Sequence, residues 1–146
     1  MKIFLFILAG LAVLFLGLAT YVRLASVDPA LWHVDPETAS DPGGRGVLIR
    51  QSSDLSPEAA LRALDKIILA TPRSRMIAGD VASGMVTYEV RTKWKRYPDY
   101  ATFKATPSDQ GSDLVILSRA RFGESDFGVN AARLDGWLEQ FKALEN

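Results

Sequence analysis

Ser118-Arg119-Ala120-Arg121-Phe122-Gly123-Glu124-Ser125-Asp126-Phe127-Gly128-Val129-Asn130, with Arg133 close behind, gathers most of the side chains that could do chemistry. Gly123 and Gly128 suit a tight turn with a backbone angle that other residues resist. Ser125 and Asp126 carry acceptors for the unpaired amides that open a helix. Asp126 has Arg119, Arg121 and Arg133 as candidate ion-pair partners. Two roles fit these residues. One is a corner staple between a strand and a helix. The other is an anion-binding pocket at a helix N-terminus, formed by Arg119, Arg121, Ser125, Asp126, Asn130 and Arg133. Asp126-Phe127-Gly128 also matches a kinase triplet by letters, but no glycine-rich loop, strand lysine or His-Arg-Asp loop accompanies it.

Elsewhere the chain offers little to a catalyst. It has no cysteine, which removes disulfides, thiolate metal sites and cysteine nucleophiles together. Its one histidine, His33, has no second ligand at helical or turn spacing, so neither a metal nor a cofactor is expected. Ser118 and Ser125 lack a nearby histidine in sequence. Asp80, Glu89, Asp99 and Asp126 form no carboxylate pair at helical or strand spacing. No catalytic residue is assigned, and binding is favoured over chemistry. Lysine plus arginine total 17 and aspartate plus glutamate 17, a net charge of +0. That balance argues against a nucleic-acid partner.

Several elements must position these groups. Ile3 to Val22 is twenty residues without a charge, flanked by Lys2 and Arg23, and thirteen of them are Leu, Ile, Phe or Val. As a helix it rises about 30 Å, the thickness of a hydrocarbon core. Those apolar residues favour insertion by about 4 to 8 kcal/mol. The expectation is an uncleaved single-pass anchor over residues 1–25. The competing reading is a signal peptide cut after Ala19, at Gly17-Leu18-Ala19, releasing the domain to the periplasm. Lys2 before the segment, and Asp28, Asp35, Glu37 and Asp41 after it, place the N-terminus in the cytoplasm and the domain outside the inner membrane.

Residues 26–46 read as a connector rich in proline and glycine, with one apolar knot at Leu31-Trp32-His33-Val34. Residues 47–146 read as the folded domain. Val47 to Arg50 is a short strand. Ser56-Pro57-Glu58 opens a helix with a hydroxyl cap, proline at the first position and an acid in the first turn. Leu61, Leu64 and Ile68 recur at helical spacing, and Pro72 closes the helix. Four strands follow, over Arg75 to Val81, Met85 to Trp94, Tyr100 to Ala105 and Leu114 to Phe122. A last helix spans Val129 to Leu144, with Leu134, Trp137, Leu138, Phe141 and Leu144 as its apolar stripe. The fold class is α+β: a strand, a helix, four strands and a helix, with an antiparallel sheet covered by helices on one face. The order is similar to helix-grip folds of the TATA-binding-protein type.

Alternation in Met85 to Trp94 puts Val86, Tyr88, Val90 and Trp94 on one face and Thr87, Glu89, Arg91 and Lys93 on the other. The polar face of the sheet then collects Arg91, Lys93, Lys104, Arg119 and Arg121, with Lys95 and Arg96 extending it. The expectation is a solvated, cationic face. A domain held at a membrane could use such a face to meet anionic headgroups.

The stretch from Ser118 to Asn130 with Arg133 resembles the signature of domain-of-unknown-function family 1499. That signature is a serine-arginine strand end, then glycine, serine-aspartate, an apolar residue, glycine-valine-asparagine and a helical arginine. Tyr97-Pro98-Asp99-Tyr100 and Trp32-His33-Val34-Asp35-Pro36 are similar to the family's two upstream elements. The resemblance runs from about Trp32 to the C-terminus and implies a setting in bacterial envelopes or plastids, but no activity and no catalytic residues. The sequence thus points to a membrane-anchored envelope protein that binds an anionic lipid, small anion or unnamed protein partner. A scaffold subunit of a membrane complex is the alternative, and a hydrolase the least supported.

Overall fold

The structure, a computed structural model, describes residues 1–93 and 96–145. Trp94 and Lys95, placed above in a strand and a cationic loop, lie outside the described residues. The first helix, α1, spans Lys2–Leu24 and is long and apolar enough to cross a membrane. Nearly all its side chains are exposed, whereas Val22 at its exit is buried. One short helical turn follows, α2 (Pro29–Trp32), capped by Asp28 and started by its proline.

The domain is one five-stranded antiparallel sheet with two helices on one face. Its strands are β1 (Gly46–Ser53), β2 (Ser74–Asp80), β3 (Met85–Arg91), β4 (Pro98–Ser108) and β5 (Gly111–Ala120), in the order β1-β5-β4-β3-β2. Helix α3 (Pro57–Ala70) connects β1 to β2, and α4 (Val129–Glu145) closes the chain. The cap expected for α3 is present, because Ser56 Oγ accepts from the Ala59 amide. β1, β4 and β5 start before the expected limits, whereas β3 stops at Arg91 and β5 at Ala120. Pro107 and Ser112 face each other within the β4–β5 pairing.

Alternation assigns the helix-side core. Val86, Tyr88 and Val90 of β3, Ala101 and Phe103 of β4 and Leu114 and Ile116 of β5 pack beneath Leu61, Leu64 and Ile68 of α3 and Leu134, Trp137 and Phe141 of α4. Trp137 Nε1 donates to Thr71 Oγ1 at 2.8 Å, which ties α4 to the end of α3.

The second sheet face departs from expectation. It is not open to solvent, because the stretch read as a connector runs across it as a strap. Trp32 stacks on Tyr100 with ring centroids 4.2 Å apart, and the Arg119 guanidinium lies 5.0 Å from the Trp32 ring centre. Lys104 Nζ reaches Asp35 at 2.7 Å and Glu37 at 3.0 Å. Thr87, assigned to a wet face, is buried and shares a hydrogen bond of 2.8 Å with buried Thr102. His33 Nδ1 lies 2.8 Å from Thr87 Oγ1, and Thr102 Oγ1 lies 3.3 Å from the Trp32 carbonyl. Each hydroxyl has one proton. If Thr102 gives its proton to Trp32 and Thr87 gives its own to Thr102, His33 must donate from Nδ1. Gly79 makes room for this imidazole: its φ is +73°, and an added Cβ would stand 2.7 Å from His33 Cε1.

Candidate functional site

The end of the sheet where β3 stops and β4 starts is where polar chemistry concentrates. Alternation along β5 splits the residues nominated from sequence into two groups. Ser118 points toward α4, and its Oγ donates to Asn130 Oδ1 at 2.6 Å. Arg119 and Arg121 point to the strap. Arg119 Nη2 donates to the Trp32 carbonyl at 3.3 Å, and Arg121 Nη1 donates to the Ser26 carbonyl at 3.0 Å and to Tyr100 Oη at 3.3 Å. The six residues read as one anion pocket therefore do not form one pocket.

On the α4 side the turn acts as a staple. Asp126 Oδ1 accepts from the Gly128 amide at 2.9 Å, and its Oδ2 accepts from the Asn130 amide at 3.1 Å and from Asn130 Nδ2 at 2.7 Å. Ser125 Oγ accepts from the Phe127 amide at 3.1 Å. Burial pushes the Asp126 carboxyl up, and the hydrogen bonds from Asn130 and Gly128 more than offset it, leaving it below the usual carboxylate range. Gly123 (φ +96°) and Gly128 (φ +78°) take the left-handed angles that the turn requires. Asn130 is fully buried and joins everything: its Oδ1 also accepts from Arg133 Nη1 at 2.8 Å. Arg133 pairs with buried Asp99 at 2.8 Å rather than with Asp126. Burial raises the Asp99 carboxyl, against the opposing pull of Arg133.

Toward the edge of the sheet, Glu89 is 1 % exposed although the sequence places it on a polar face. Arg75 Nη2 donates to its Oε2 at 3.1 Å, and Arg91 Nε donates to its Oε1 at 2.7 Å. Burial pushes the Glu89 carboxyl up, yet these two guanidinium groups hold it below its ordinary value. Arg91 also donates from Nη1 to the Arg23 carbonyl at 2.8 Å and to the Arg96 carbonyl at 3.3 Å. Arg73 Nε donates to the Arg91 carbonyl at 3.1 Å. Positive charge thus gathers around the exit of α1, while Lys104 and Arg119 on the sheet face are held by the strap. Sequence reading missed Arg23 and Arg73 here, and it also missed Tyr97 and Phe122 as wall residues. Their one signal is the recurrence of arginine and aromatic residues at strand ends.

Beside this cluster lies a cavity of about 640 Å³ between the sheet end, the close of α3 and the start of α4. Val90, Ala120, Phe122, Phe127 and Val129 supply apolar wall. Arg73, Arg91, Lys93 and Arg133 supply cations, and Ser125, Asp126 and Asp99 supply acceptors. Arg119, Arg121 and Asn130 are not among its lining residues. A second cavity of about 460 Å³ lies under the strap, bordered by Trp32, Asp35, Asp41, Arg45 and Arg119. Among the described residues, no group of three or more His, Cys, Asp or Glu is arranged to hold a metal ion.

Fold and site define a small α+β domain with an antiparallel sheet, two helices on one face and a strap on the other. The family described as protein of unknown function (DUF1499) matches residues 34–141, and the chain belongs to it. Solved structures share the fold. Protein MLL2253 from Mesorhizobium loti superposes with a TM-score of 0.54 at 14% identity, covering 67% of this chain and 94% of that one. A Rhodobacter sphaeroides protein gives 0.53 at 12% identity, covering 71% and 91%. Ara h 8.0201 gives 0.52 at 14% identity, covering 67% and 93%. At such identities the likeness concerns the fold alone. A comparison with curated proteins finds no match.

Proposed function

We propose that this chain is a membrane-anchored binding module of the cell envelope. In this reading α1 spans the cytoplasmic membrane, the domain stands on its outer side, and the cavity beside Asp126 receives an amphiphile with an anionic group. The observation that carries it is the make-up of that cavity. Its volume of about 640 Å³ lies within the range typical of small-molecule sites. Much of its wall is apolar, while Arg73, Arg91 and Lys93 line the same cavity. Such a division suits a molecule with a hydrocarbon part and a negative head. Of the acids lining the cavity, Asp99 is paired with Arg133, and Asp126 is held by the donors of Gly128 and Asn130.

The test is thermal unfolding of the full chain in a neutral detergent, with lysophosphatidylglycerol or lysophosphatidylcholine added. Binding to the folded state raises the melting temperature in step with ligand concentration. The expected outcome is a rise with the anionic lipid that Lys93→Glu reduces. Equal rises with both lipids would remove the anionic part of the reading, and no rise with either would remove the ligand. Alkaline carbonate extraction tests the anchor: the full-length chain should stay in the membrane pellet, whereas a shortened soluble chain would point to cleavage.

A further inference from the structure

Phe127 is 92 % exposed and holds a left-handed backbone angle, φ +53°. Both are unfavourable for a bulky residue in water. The turn fixes it there: Ser125 Oγ accepts its amide and Asp126 Oδ1 accepts the next one. The result is an aromatic ring held outward on a rigid tip, with Val129 exposed nearby. The position of that tip gives it meaning. Phe127 shares a cavity with Arg91 and Lys93, and Arg91 is bonded to the Arg23 carbonyl in the last turn of α1. The tip therefore lines the same cavity as the arginine that holds the end of the apolar helix.

Arginine side chains gather around that point. Arg91, Arg73 and Arg96 are linked through backbone carbonyls, and Arg121 holds the Ser26 carbonyl just past the helix. The acids packed against them are engaged: Glu89 by Arg75 and Arg91, Asp99 by Arg133, Asp126 by Asn130. Glu124, on the same loop as Phe127, is exposed and opposes the trend.

We infer that this end of the domain docks on an anionic bilayer surface, with Phe127 seated among the headgroups and Arg73, Arg91, Arg96 and Arg121 facing them. The inference rests on the reading that α1 spans the same membrane. A bilayer is the occupant that fits because the patch begins where the spanning helix would leave the hydrocarbon. Headgroups supply both negative charge and an apolar layer beneath it. The domain would then lie against the membrane instead of swinging on a linker, and its cavity would open at the lipid surface.

The absence of cysteine permits single-site labelling. The full chain is reconstituted in phosphatidylcholine vesicles with or without phosphatidylglycerol. It carries an environment-sensitive fluorophore at Glu124→Cys, or at Gln110→Cys in the β4–β5 turn at the opposite end of the sheet. Lipids bearing a shallow spin label should quench the probe at position 124 several-fold more than at 110, most strongly with phosphatidylglycerol. Phe127→Gly, which accepts the same backbone angle, should remove most of that difference while keeping the melting temperature of the domain. Equal quenching at both positions in a chain that stays with the vesicles through carbonate would overturn the docking and leave the anchor standing. A chain released by carbonate would overturn both. A blue-shifted probe at 124 that lipid quenchers do not reach would assign the patch to a protein and overturn the bilayer.

Discussion

Arg91 binds Glu89 and the end of α1 with the same guanidinium. Its Nε donates to Glu89 Oε1 at 2.7 Å and its Nη1 to the Arg23 carbonyl at 2.8 Å. A buried carboxylate thus fixes the side chain that fixes the helix. Replacing Arg91 by Met keeps the stem but leaves Glu89 with Arg75, whose side chain is largely exposed. The loss of one partner from a buried ion pair sets the expected cost at about 2 to 4 kcal/mol. Denaturant unfolding of the full chain in detergent measures it. Arg91→Lys should recover only part, because an ammonium cannot serve Glu89 and the Arg23 carbonyl with a planar fork.

Glu89 gives the same site a pH signature. Its carboxyl is held below the ordinary value in the folded chain by Arg75 and Arg91. A depressed carboxylate contributes stability above its unfolded value and loses it as pH falls through the folded one. The wild-type chain should therefore exceed Glu89→Gln in stability at neutral pH. The gap should narrow as the pH drops below the normal carboxylate range. Melting curves of both chains over that interval check the sign. Asp99 behaves oppositely, because burial raises its carboxyl; Asp99→Asn should lose its disadvantage, not its advantage, as the pH rises.

Asn130 should be the most sensitive single residue in the turn. It accepts from Ser118 and Arg133 and donates to Asp126, with no exposure to solvent. Asn130→Ala strands a buried hydroxyl and part of a buried guanidinium, at about 1 to 3 kcal/mol for each unsatisfied group. The same substitution leaves the Asp126 cap on the Gly128 amide in place. Asp126→Ala removes the cap itself and should cost about 1 to 2 kcal/mol. Thermal unfolding should rank Asn130→Ala below Asp126→Ala.

The sequence carried the local elements well. Ser56-Pro57-Glu58 opens α3, the alternation of Val86, Tyr88 and Val90 sets the core face of β3, and Asp126 caps α4. What it hid was burial. Alternation reports which residues share a face, and it says nothing of what covers that face. Thr87 and Glu89 look solvated until His33 and Arg75 are brought to them. The strap has no period because it crosses the sheet as irregular chain held by Trp32, His33 and Asp35. The division of the site, by contrast, was already legible. Ser118 and Arg119 are adjacent, so period two sends them to opposite faces, and closeness in sequence was a poor guide to a shared pocket.

Trp32 is where the strap depends on a single side chain. Its ring contacts both Tyr100 and Arg119, and its carbonyl accepts from Thr102 and Arg119. Beneath it, Leu117 and Thr102 are buried by the same segment. The ion pairs of Lys104 with Asp35 and Glu37 are more exposed, so they contribute less. Trp32→Ala should cost about 2 to 4 kcal/mol, at or just below the range for truncating a packed tryptophan, because the ring is only partly buried. Lys104→Met should cost less than about 1 kcal/mol. The two also differ in kind. Once the ring is gone, the strap should lift from the sheet, so that trypsin cuts after Arg45 in the native chain at a rate the wild type does not show. Lys104→Met should leave that bond protected. Equal protection of Arg45 in wild type and Trp32→Ala would mean that the strap is held from its ends, by Arg121 on Ser26 and by the pairing of Gly46 with Arg119.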